Sequence, residues 1–151
     1  MMKVLSFARP AFRASLALAA LTAAACTSPS GADEELRPAI IEFTESERVR
    51  VEVPATAAAG TPFEVRVTSY GGGCISKGPT EVSVSGSTAL VEPLQVAPAE
   101  DEDVICTQEL RIFVNTASVT FAAPGAAKVV VRGYSSISRR IIDVEHTVQV
   151  Q

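Results

Sequence analysis

The stretch RVRVEVPATAAAGTPFEVRVTSY, residues 48–70, decides the fold. In an extended chain successive side chains point to opposite faces, so Val49, Val51 and Val53 share one side while Arg48, Arg50 and Glu52 share the other. Phe63, Val65 and Val67 repeat the pattern against Glu64, Arg66 and Thr68. Pro62, which has no N–H to donate, sits at a strand start, where that loss is tolerated. A period of two on both sides of a small-residue run predicts two half-buried strands.

Further strands are predicted at 39–43, 80–85, 88–96, 117–122, 128–134 and 140–150, separated by the turn-rich pieces AAAGT, GGG, SGS and APG. Residues 104–114 predict one more, with irregular ends. Seven to nine short strands and no amphipathic helical stripe argue for an all-β antiparallel sandwich over residues 37–151.

The N-terminus is of another kind. Residues 1–13 carry Lys3, Arg9 and Arg13 with no acidic residue, and ASLALAALTAAA, residues 14–25, is apolar apart from Ser15 and Thr22. Basic, then apolar, then small is the order of a cleaved signal peptide, expected here at 1–25. Twelve helical residues span roughly 18 Å, short of a hydrocarbon core of about 30 Å. The run TSPSGADEE that follows Cys26 has no large apolar side chain, and residues 26–36 are expected to form a flexible tether.

The whole chain has a formal net charge of −4, but its 17 acidic residues all follow the leader, which holds 3 of the 13 basic ones. From Cys26 onward the formal charge is therefore −7, which offers no electrostatic footprint for nucleic acid. Three cysteines, Cys26, Cys74 and Cys106, are an odd set for an exported chain, where thiols tend to pair. The economical reading joins Cys74 to Cys106 as a loop staple and leaves Cys26 for another purpose.

Cys26 follows Ala23, Ala24 and Ala25, and this A-A-A-C resembles the lipobox of bacterial lipoprotein precursors. The resemblance covers residues 1 to about 30, with Ala23 standing where that family usually has Leu. It implies that Cys26 is lipidated, becomes the first residue of the mature protein and anchors it to the membrane. Thr27, in place of the Asp associated with inner-membrane retention, implies an outer-membrane destination, periplasmic or surface facing. An ordinary A-x-A cleavage, releasing a soluble periplasmic or secreted protein, is the alternative.

The segments V-P-A-x-x-x-x-G-x-P-F-x-V-x-V at 53–67 and F-A-A-P-G-x-A-x-V-V-V-R-G at 121–133 resemble strand-turn-strand units of bacterial immunoglobulin-like domains. The chain departs from that family in having no Trp and in the short separation of Cys74 and Cys106.

Motifs that carry chemistry are few. YGGGCISKG, residues 70–78, has the glycines of a phosphate-cradling loop, but Lys77 is followed by Gly78 and Pro79 rather than by Ser or Thr opening a helix. It reads as a stapled turn whose glycines serve positive φ. Glu100, Asp101, Glu102 and Asp103 are the only Ca²⁺ candidates, yet four adjacent carboxylates cannot all converge on one ion, and a solvated acidic loop is the expectation. His146, the one histidine, falls in phase with Ile142, Val144, Val148 and Val150 and reads as a packed or edge residue. No G-x-S-x-G elbow is present. Tyr70 and Tyr134, at strand ends, are the candidates for a recognition surface.

The sequence thus predicts a non-enzymatic envelope lipoprotein with no cofactor, a membrane-tethered binding or structural module. Its partners are the membrane, through Cys26, and a protein or glycan of the envelope. A soluble secreted module for glycan or a cell-surface protein is the alternative, and a small hydrolase a distant one.

Overall fold

The computed structural model describes residues 34–99 and 103–151, and among these the secondary structure is all β. Ten strands follow in chain order: β1 (Glu34–Pro38), β2 (Ile40–Glu42), β3 (Val51–Glu52), β4 (Thr56–Ala57), β5 (Phe63–Gly71), β6 (Ser76–Ser85), β7 (Thr88–Pro98), β8 (Arg111–Val119), β9 (Gly125–Ser135) and β10 (Arg140–Val150).

Alternation drives their packing. Val65 and Val67 of β5 are buried while Glu64 and Arg66 are exposed, and Val129 and Val131 of β9 repeat this against exposed Lys128. One layer runs β6-β7-β9-β10-β4 and the other β8-β5-β3. Their inward side chains meet in a single core: Val65, Val67, Ala117 and Val119 from one, Ala89, Val91, Val129, Val131, Val148 and Val150 from the other. Fully burying a valine contributes about 1.5 to 3 kcal/mol, so this two-layer valine core is the main source of stability.

The arrangement is sandwich-like and compatible with an immunoglobulin-like domain, with three features beyond the expected antiparallel pattern. The strands number ten, and three pairings are parallel: β7 with β9, β2 with β9, and β4 with β10. In addition, β2 pairs with both β9 and β5, so hydrogen bonds stitch the two layers into one continuous sheet.

Several boundaries differ from the expected ones, among them β6, expected from residue 80, which begins at Ser76. Residues 34–36, expected in the tether, belong to β1, because edge pairing of their backbone with β7 needs no apolar side chain. Residues 103–110 are an exposed connection rather than strand, and the two strands expected at 104–114 and 117–122 are a single one, Arg111–Val119, because its backbone stays in register with β5 from Phe63↔Val119 to Gly71↔Arg111. Of 48–53, only Val51–Glu52 is strand, although Val49, Val51 and Val53 all pack on the core. Residues 1–33, which include the stretch expected to be a signal peptide, Cys26 and most of the expected tether, lie outside the described residues.

The layers are joined at a fork. β7 and β9 run side by side from Thr88↔Lys128 to Val91↔Val131 and then part. Beyond the parting, β7 takes β1 as antiparallel neighbour (Leu94↔Pro38 to Pro98↔Glu34), and β9 takes β2 as parallel neighbour (Ile40↔Tyr134). Since β7 and β9 are themselves parallel, the N-terminal segment must reverse between them. It does so at Ala39, fully buried, whose N–H donates to Pro93 O (2.9 Å) and whose carbonyl accepts from Tyr134 N (2.9 Å).

Gly133 permits this close approach: a Cβ there would lie 2.9 Å from Ala39 O and 2.7 Å from Ile41 Cγ2. Gly133→Ala is therefore expected to lower unfolding stability by about 1 to 3 kcal/mol, as overpacking does. Urea denaturation checks this, and a midpoint equal to wild type would show that the fork relaxes freely.

Candidate functional site

The fork leaves a groove of about 500 Å³, lined by Glu35, Arg37 and Pro38 of β1, Ile40 of β2, Gln95 and Ala97 of β7, Tyr134 of β9, and Ile75 from the β5–β6 connection. An apolar lining with a few polar groups is the usual character of a ligand site. Tyr134, half-buried, is the one sequence-predicted recognition residue that lies here.

Gln95 is only 6% exposed, in phase with buried Ala89, Val91, Pro93 and Ala97. Its Oε1 accepts from Ile40 N at 3.2 Å, and its amide NH₂ has no partner among the described residues. Arg37 pairs with Glu35 and donates through Nη2 to Pro98 O (2.9 Å), so the charges on the groove's rim are matched. An uncharged ligand with an apolar side and a hydrogen-bond acceptor fits these groups.

Tyr70 does not form a recognition surface. It is 1% exposed, its ring is stacked on Phe43 at 6.3 Å, and its hydroxyl donates to Arg48 O (3.0 Å). Tyr70 does stand at a strand end, but residues 43–48 fold over it. Thr44 Oγ1 and Ser46 Oγ hydrogen-bond the Glu47 carboxylate, holding it below its ordinary titration range, and Phe43 N donates to Glu47 O (2.9 Å).

Cys74 and Cys106 form a disulfide, with their Cα atoms 5.2 Å apart, between two connections rather than across the core. The bond is consistent with an oxidising, extracytoplasmic location. It also shapes the groove, since Ile75 follows Cys74 directly. Gly71–Gly73 do not adopt positive φ, and two of them are needed for space: a Cβ on Gly73 would lie 1.7 Å from Thr107 Oγ1 and 2.9 Å from Thr107 O, and one on Gly71 would lie 2.6 Å from Ile75 Cγ2, whereas Gly72 has ordinary room.

Other titratable groups lie apart from the groove. His146 lies between the layers beside β3, near Glu52, Glu64 and Arg66, with Nε2 buried and unpartnered among the described residues. On the outer face of β9 and β10, Arg132 makes a two-pronged contact with Asp143 (2.8 and 2.9 Å), whose hydrogen bonds pull the Asp143 pKa down. Both side chains are about two-fifths exposed (39% and 43%), so solvent screens the pair. Asp103 is exposed, while Glu100, Asp101 and Glu102 lie outside the described residues. Among the described residues no His/Cys/Asp/Glu cluster suits a metal ion, and no helix is long and apolar enough to cross a membrane.

Sequence reasoning missed Gln95 and Arg37. Gln95 carries a legible signal, a polar side chain at an apolar phase of TALVEPLQVAP. Arg37 carries none, because its role depends on the fork.

No protein-family model, curated protein or solved structure matches this chain.

The disulfide closes a loop of sequence separation 32, for which chain entropy predicts a stabilisation of about 3 to 4 kcal/mol. The double variant Cys74→Ser, Cys106→Ser is expected to lose that amount in urea denaturation. A loss under about 1 kcal/mol would show that the unfolded chain is already constrained.

Proposed function

We propose that this protein is an exported lipoprotein, anchored by acylated Cys26 to the cell envelope, in which a sandwich-like domain holds the fork groove for a ligand and performs no catalysis. The carrying observation is the Cys74–Cys106 bond, which uses both inner cysteines and leaves Cys26 as the odd thiol, next to a small-residue run. An exposed free thiol in an oxidising compartment is a liability that thioether linkage to lipid removes. Two or more acyl chains make a stable anchor where one gives only marginal binding.

Metabolic labelling tests the anchor. Wild-type chain is expected to incorporate palmitate and to fractionate with membranes, and Cys26→Ala to lose both properties. Unlabelled wild-type protein in the soluble fraction would replace this reading with the second one.

That second reading is a soluble exported module for glycan. It draws support from Tyr134 beside the Gln95 amide nitrogen, unpartnered among the described residues, an aromatic face and a planar donor of the kind that a sugar ring and its hydroxyls use. Occupancy of the groove is tested separately. A photoreactive phenylalanine analogue replacing Tyr134 is expected to give an adduct in intact cells that the same analogue at exposed Thr116 does not. Equal yields at the two positions would remove the groove from the proposal.

A further inference from the structure

Sheet edges offer unpaired N–H and C=O groups, and native proteins blunt them with Lys, Pro, charges, bulges or short strands. Three long edges are present among the described residues, and two are blunted. Along β8, Lys77 Nζ reaches across and donates to Val114 O (2.7 Å). Along β10, β4 covers the end at Gln149–Val150, and Arg140, Asp143 and Glu145 punctuate the remainder.

The third edge is β6, which pairs only with β7. Pro79 and a register shift between Lys77 and Thr80 protect its first half. Its second half, Thr80–Ser85, reads TEVSVS and carries one charge, Glu81. Residues 81–85 are all exposed.

The side chains there are unusual in one respect. Directly opposed residues of an antiparallel pair point to the same face. Val82 is opposite Val91 and Val84 opposite Ala89, both fully buried, so Val82 and Val84 stand on the core side of the sheet. They are nonetheless 38% and 45% exposed. The core is unfinished at this edge.

We propose that β6 pairs antiparallel with β6 of a second copy of this chain, about a two-fold axis through Ser83. The sequence is self-complementary in that register. Val82 falls opposite Val84 of the second copy and Val84 opposite its Val82, so four valines close the open end of both cores. Glu81 falls opposite Ser85, and the like charges of the two Glu81 side chains are kept apart. Shifting the register by two residues loses this match: pairing Val82 with Val82 puts Val84 opposite Thr80, and pairing Val84 with Val84 puts Val82 opposite Gly86. The joined sheet runs unbroken from one β4 to the other. Six residues per copy bury less than the roughly 1,200 Å² of a standard stable interface, so the dimer is of the transient class. The pairing goes beyond the proposed function and does not depend on acylation of Cys26.

Trapping by disulfide suits a transient contact. At the two-fold axis the Ser83 Cα atoms would be about 4.5 to 5.5 Å apart, within the range a disulfide spans. The full chain carrying Ser83→Cys is expected, under mild oxidation in cells, to give a reducible homodimer at least about 10-fold more abundant than Thr116→Cys on the β8 edge. Adding Val84→Lys to Ser83→Cys is expected to reduce the yield about 10-fold, a difference of about 1.4 kcal/mol. Both sites are exposed, and retention of the Cys74–Cys106 bond, read by intact mass, reports that the fold is kept. Ser83→Cys linking no better than Thr116→Cys, linking chiefly to a different protein, or remaining insensitive to Val84→Lys would each overturn the proposal.

Discussion

Everything distinctive about this fold depends on the reversal at Ala39. A segment that is antiparallel to β7 and parallel to β9, when β7 and β9 run the same way, must turn between them, and the turn must satisfy its backbone inside the protein. Ala39 meets this by donating to Pro93 O and accepting from Tyr134 N. Its small side chain, together with the missing one at Gly133, lets three backbones approach within hydrogen-bonding distance. One residue on, Ile40 is opposite both Tyr134 and Tyr70 and so touches both layers. Replacing this seam by loop would remove the strand pairing that joins the two sheets.

The groove is a by-product of the same geometry. Strands that part leave a wedge, and the inserted segment fills its depth but not its mouth. The residues at the mouth arrive from five separate pieces of chain, which explains how a strand amide, Gln95, comes to hold Ile40 N with its oxygen while its nitrogen has no partner among the described residues. The disulfide stands at the rim because Cys74 belongs to the connection that supplies Ile75. Tyr70 was recruited elsewhere: with Phe43 on its ring and Arg48 O on its hydroxyl, it fastens residues 43–48 across the outer face of β5.

Period-two patterning made β5, β7, β9 and β10 legible, together with the pairing of Cys74 with Cys106, because alternation and cysteine parity are local or arithmetical properties of a sequence. The parallel pairing of β7 with β9 was not legible. Neighbour choice in a sheet depends on which edges meet, and a valine-rich strand suits either orientation. β1 was missed for a related reason: EELRP has no apolar alternation, since its contribution is backbone pairing with β7. Tyr134 could be placed near a surface but not at a groove, and Tyr70 looked equivalent to it, because a strand end is exposed only if no later or earlier loop folds over it.

The fork also orders the assembly of the domain. It exists only once β7 and β9 lie side by side, and each is the partner of a hairpin neighbour, β6 for β7 and β10 for β9. Hairpins close short loops at little entropic cost, whereas joining β7 to β9 closes a longer one. Residues 34–38 need only β7, but residues 39–42 need β9 as well, so the segment 34–42 has its full set of partners only when both hairpins lie together. Fastened by backbone hydrogen bonds rather than by large side chains, the segment takes its register from the two strands it joins.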